Sequence, residues 1–158
     1  MMDWNRLFPK IDQAYTGPAI PFYFLVIIAA ASTVRSLIHM FAPDGGAHSI
    51  AGIDIDVEGG RNLVAMFAQW GGSQLLMALL YWVVIARYRW LTPLMLAVVT
   101  LEQFIRLGCG TLKPLEVAAA PPGGIITRFL APICVVMFLW SLRATRSVAA
   151  AGSQRLPQ

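Results

Sequence analysis

The stretch that decides the fold is IPFYFLVIIAAASTVRSLIHMF, residues 20–41. Its first fifteen residues carry no formal charge, and its apolar character persists to Phe41. A helix needs roughly 17–25 residues to cross about 30 Å of hydrocarbon, and this run suffices. Ala29, Ala30 and Ala31 resemble a small-residue cleavage site, but the apolar run continues past them, so the segment reads as a retained membrane helix. Neither a myristoylation nor a prenylation pattern is present.

Three further runs of the same kind follow. Spanning helices are expected at about 20–41, 62–86, 91–110 and 125–142 of the 158-residue chain. Apolar residues make up 58% of the chain, charged residues 13%, and mean hydropathy is +0.65, far from a soluble composition. The alternating ten-residue segments of a β-barrel are missing. The expected fold is an all-α integral membrane domain, a four-transmembrane-helix bundle over 20–143. A cytoplasmic interfacial segment (1–19) precedes it and a disordered cytoplasmic tail (144–158) follows.

Charge sets the expected orientation. Arg6, Lys10, Arg87, Arg89, Arg143, Arg146 and Arg155 fall at one end of the bundle. The other end has Arg61 and Lys113 against Asp44, Asp54, Asp56, Glu58 and Glu116. By the positive-inside rule both termini are cytoplasmic and the long acidic loop is external, as in a bacterial inner-membrane protein. The net charge of +4 is therefore a topology signal, not a nucleic-acid patch. Within that loop, Ile53 to Glu58 alternates apolar and acidic residues, the pattern of a short strand or hairpin.

The polar residues inside the spans converge on one depth. Ser32, Arg35, Ser36 and His39 share a face of helix 1, and Asn62, Gln69 and Ser73 a face of helix 2. Glu102 and Arg106 stand at i and i+4 with Gln103 beside them, and Arg128 opens helix 4. Ionisable groups within a membrane are costly and mark working sites. The expected ligand-binding set is thus Arg35, His39, Asn62, Gln69, Glu102, Gln103, Arg106 and Arg128. One acid faces three arginines, so the layer calls for an anion, supplied either by the folded-back acidic loop or by a ligand carrying carboxylate or phosphate.

Blander readings stand beside this one. Arg128 and Arg35 can snorkel to the interface, the Glu102–Arg106 pair can simply hold helix 3, and the amides can be interhelical glue. Asp54, Asp56 and Glu58, with His48, are weak candidates for a hard metal ion. No cofactor is implied. Cys109 and Cys134 lie at different depths, too far apart for a disulfide. The tryptophans read as interfacial anchors.

The chain resembles the small four-helix bacterial membrane proteins of the DoxX-like group. The likeness rests on Glu58-Gly59-Gly60-Arg61-Asn62 after the acidic loop, and on a lone Arg106 late in helix 3, followed by a glycine and a proline-containing loop. It implies a small membrane protein, in some members a subunit of a membrane redox system. Three functions follow as expectations. The first is a binder of membrane lipid or an anionic or amphipathic small molecule in an outward-facing pocket. The second is an accessory subunit, or homo-oligomer, within a larger membrane complex. The third is an isomerase or cyclase with Glu102 as acid/base and His39 as its complement.

Overall fold

In a computed structural model, residues 14–115, 117 and 121–143 are described. The interfacial segment expected before residue 14 and the tail expected from 144 lie outside the described residues, as do Arg6, Lys10, Glu116, Arg146 and Arg155. Four helices form: α1 Ala19–Phe41, α2 Gly60–Arg87, α3 Thr92–Leu112 and α4 Pro122–Ser141. All four are long and apolar enough to cross a membrane. A single 3-10 turn, Arg89–Leu91, joins α2 to α3.

The helix ends follow local chemistry. Proline occupies the first turns of α3 and α4, where its missing N–H costs nothing. That is why α4 begins at Pro122, three residues before the expected 125. Gly59, at φ +84°, makes the left-handed entry into α2. Pro132 lies inside α4 without ending it. The Arg128 carbonyl four residues earlier is thereby left without its helical N–H partner.

The helices pair two by two, α1 on α2 and α3 on α4, with much slighter contact between α2 and α3. The α1–α2 seam is close because of Gly71. A Cβ there would lie 2.7 Å from the His39 Cβ and 3.0 Å from the Ser36 carbonyl oxygen. Small residues allow such approach where lipid supplies no hydrophobic drive between helices. Farther along, the Trp82 indole N–H donates to Thr33 Oγ1 at 3.1 Å. The buried apolar core, built on Leu25, Tyr81, Val84, Leu96, Val99 and Cys134, joins all four helices.

The loop between α1 and α2 departs from expectation. Among the described residues no strand forms, and 53–58 is irregular chain. The Asp54 carboxylate accepts the Asp56 N–H at 2.9 Å, a local turn that competes with extension. The first half of the loop is a run of turns organised by Asp44, whose carboxylate accepts from the N–H groups of Gly46, His48 and Ser49 at 2.9, 3.2 and 2.6 Å. The bonds from Ser49 and Gly46 hold the Asp44 carboxyl well below the usual carboxylate range. The loop ends with Ile55 packed so tightly on Gly60 that no side chain fits there.

Candidate functional site

The slight contact between α2 and α3 leaves a cleft of about 570 Å³, with α1 forming its back wall. Its polar end is a three-residue ion cluster. Glu102 Oε1 lies 3.7 Å from Arg35 Nη2 and 3.4 Å from Arg106 Nη1, so one carboxylate oxygen serves two guanidiniums. Both separations exceed the roughly 2.7–2.9 Å of a tight charge-assisted bond. Each arginine offers a fork of five N–H donors, and one carboxylate oxygen cannot occupy two forks. Most of that donor capacity remains for another anion.

Trp70 forms the rim. The Arg35 and Arg106 guanidinium carbons stand 5.8 and 5.7 Å from its ring centre, within cation–π range. The indole is therefore tied to the ion cluster and is not merely an interfacial anchor. The rest of its wall is largely apolar, with Leu101 and Ile105 beside the cluster on α3 and Met77 and Val98 farther along the helices. Met77, Leu101 and Ile105 are exposed on the bundle's flank, so the cleft opens sideways along the helices.

Three buried side-chain atoms have no hydrogen-bond partner among the described residues: Arg35 Nε, Gln74 Oε1 and Tyr81 Oη. All three residues line this cleft. Tyr81 is 1% exposed, so its hydroxyl is costly to leave unpaired. The sequence reading missed Gln74 and Tyr81. The signal was present, since Trp70, Gln74, Met77 and Tyr81 fall at i, i+4, i+7 and i+11, a helical stripe with a polar member at mid-span.

Of the expected site residues, the structure brings Arg35, Glu102 and Arg106 together. Gln103 is buried on the other side of the cluster, where Arg35, Glu102 and Arg106 also border a second cavity of about 200 Å³ between α1, α3 and α4. His39 is elsewhere: its Nδ1–H donates to the Gly45 carbonyl at 2.7 Å, and its ring stacks on Trp70 with centroids 4.9 Å apart. It lines neither of these cavities and instead fastens the loop to the bundle.

Asn62 and Gln69 are exposed and take no part in the cleft. The reason is rotational. Gly71 faces α1, and at 3.6 residues per turn positions 62 and 69 lie about 160–180° around α2 from it. Arg128 is exposed too, and borders a separate cavity of about 480 Å³ between the end of α3 and the start of α4, whose far wall Arg106 shares.

The weak metal candidates do not converge. His48 Nδ1 pairs with the Ile53 carbonyl at 3.2 Å, and Asp54 turns back on its own chain. Among the described residues no three His, Cys, Asp or Glu side chains could hold an ion together. The loop acids Asp54, Asp56 and Glu58 form no ion pair with the arginine cluster among the described residues. Cys109 and Cys134 are both free thiols, the first exposed on the cleft wall and the second buried. No protein-family model, curated protein or solved structure matches this chain.

Proposed function

We propose that this is a small membrane protein that binds an anionic, amphipathic molecule in the cleft between α2 and α3. The observation that carries the reading is the single Glu102 oxygen shared by Arg35 and Arg106 at the head of an apolar cleft. Two positive groups against one negative group leave one positive charge uncompensated, at a depth where charge is expensive. An acidic headgroup would neutralise it and occupy the remaining guanidinium donors, while an apolar chain would follow the walls toward Met77 and Val98. Entry would be sideways from the lipid. In this proposal both termini are cytoplasmic, the chain sits in a bacterial inner membrane, and its kin are the DoxX-like proteins it resembles.

The acid/base alternative loses support, because His39 is engaged by Gly45 and Trp70 instead of facing Glu102 across the cleft. Gentle extraction from the native membrane followed by mass spectrometry tests the binding reading, with wild type beside Arg106→Ala. A small anionic molecule carried by wild type and lost from the variant is the expected result. An empty cleft with a stoichiometric protein partner would overturn it in favour of an accessory subunit.

A further inference from the structure

Arg106 stands between two spaces. Its Nη1 faces Glu102 at 3.4 Å, within the ion cluster of the cleft. Its Nη2 lies on the α4 side, 3.9 Å from where a Cβ on Gly123 would sit. There Arg106 borders the cavity of about 480 Å³ between the end of α3 and the start of α4. Gly123 and Gly124 form part of the same wall, and the side chains they lack leave space beside the guanidinium.

Arg128 borders this cavity from α4. The two arginines start from matching depths. Arg106 lies six residues before the end of α3 at Leu112, and Arg128 six after the start of α4 at Pro122, each about 9 Å from its helix end. Long helical side chains lean toward the N-terminus of their helix, which on α4 carries Arg128 toward Gly124 and the bundle end. An arginine that only snorkelled to the interface would need neither a cavity nor a second guanidinium on the facing wall.

Charge and depth define the occupant. No Asp or Glu is among the described residues that line the cavity, and Arg128 forms no ion pair among the described residues. Arg106 is already engaged by Glu102, so the surplus here is the single charge of Arg128. A phosphodiester carries one negative charge, and its oxygens suit arginine forks. The remaining wall, with Leu107, Leu115 and Ile125, is apolar, and the cavity lies at the helix ends, where headgroups meet hydrocarbon. Basic pockets between spanning helices hold anionic headgroups on these terms. We infer that this cavity is a second anion site, distinct from the cleft, at which Arg106 and Arg128 together hold a phosphodiester, carried by a lipid or free in solution.

Native mass spectrometry of the purified full-length protein tests the inference, with four probes titrated separately: phosphatidylglycerol, zwitterionic phosphatidylcholine, glycerophosphoglycerol and tetradecanoate. Wild type should bind phosphatidylglycerol about tenfold more tightly than phosphatidylcholine, and about tenfold more tightly than Arg128→Gln does, the effect of one bond to a charged group. Tetradecanoate, the probe of the cleft, should bind that variant within about twofold of wild type. Glycerophosphoglycerol binding as tightly as the intact lipid assigns a soluble source, and its failure to bind assigns a lipid. Equal retention of phosphatidylglycerol by wild type and Arg128→Gln would overturn the site. Equal loss of phosphatidylglycerol and tetradecanoate in the variant would overturn its separation from the cleft. Failure of tetradecanoate to bind wild type would overturn the cleft reading alone. Arg128 is exposed, so its replacement buries nothing unpaired, and the comparison of the two lipids on wild type decides the matter without any variant.

Discussion

Gly71 lies directly against His39, with no room at position 71 for a Cβ, which would meet the His39 Cβ at 2.7 Å. This contact fixes the rotation of α2 about its axis. It turns Trp70, Gln74 and Tyr81 into the cleft and sends Asn62 and Gln69 to the opposite side.

Substitutions at the adjacent glycines should therefore separate. Gly71→Ala forces α1 and α2 apart and should cost about 1–3 kcal/mol, as overpacking does. Gly72→Ala meets nothing within 4 Å and should be neutral, or stabilising by up to about 1 kcal/mol through helix propensity. Thermal unfolding of the two variants in the same detergent measures the difference.

The arginines should outweigh the amides expected from the sequence. Arg106→Ala and Arg35→Ala should each weaken binding of a long-chain carboxylate by about tenfold or more, the range for bonds to charged groups. Asn62→Ala and Gln69→Ala should leave affinity within about twofold. Calorimetry at two salt concentrations reads both effects. Equal losses at Gln69 and Arg106 would contradict the cleft assignment.

Cys109 offers a native reporter. It is exposed on the cleft wall, whereas Cys134 is fully buried, so a maleimide should modify the first and spare the second in folded protein. Saturating the cleft with a bound acid should slow Cys109 modification several-fold. Peptide mapping by mass spectrometry distinguishes the two thiols and would expose any disulfide between them.

The turn that Asp44 organises should keep its carboxylate over the physiological pH range. The Asp44 carboxyl is held below its ordinary value by the N–H groups of Ser49 and Gly46. A carboxyl lowered on folding contributes stability that is complete above its unfolded pKa, about 3.9, and is lost as pH falls through the folded value. The hydrogen bonds from the Gly46 and Ser49 amides to Asp44 should persist from about pH 5 to 8 and be lost only under strong acid, read as hydrogen-exchange protection. Asp44→Ala should release both amides at neutral pH, seen as faster hydrogen exchange.

How far the site was legible differs from residue to residue. Glu102 and Arg106 could be paired from spacing alone, because i and i+4 on one helix are neighbours whatever surrounds them. Arg35 could be assigned to their depth by counting from the helix end. Its contact with Glu102 could not, since it depends on how α1 is turned toward α3. His39 shares a helical face with Arg35, yet packing splits that face, one part going to the α2 seam and the other to the cleft. The alternation at 53–58 indicated a strand, but period alone does not supply a neighbouring strand to pair with.

By itself the sequence determined the four spans to within a few residues, and the presence of charge inside them, but not the starts of α2 at Gly60 and α4 at Pro122. These depend on local composition, the bilayer's thickness and spacing along one helix. Only the tertiary structure decided which polar groups meet. In a bundle whose exterior is as apolar as its interior, hydrophobic pattern does not set helix rotation. That rotation is set by close contacts such as Gly71 on His39, and with it the cleft, the shared Glu102 oxygen and the place of Gln74 and Tyr81.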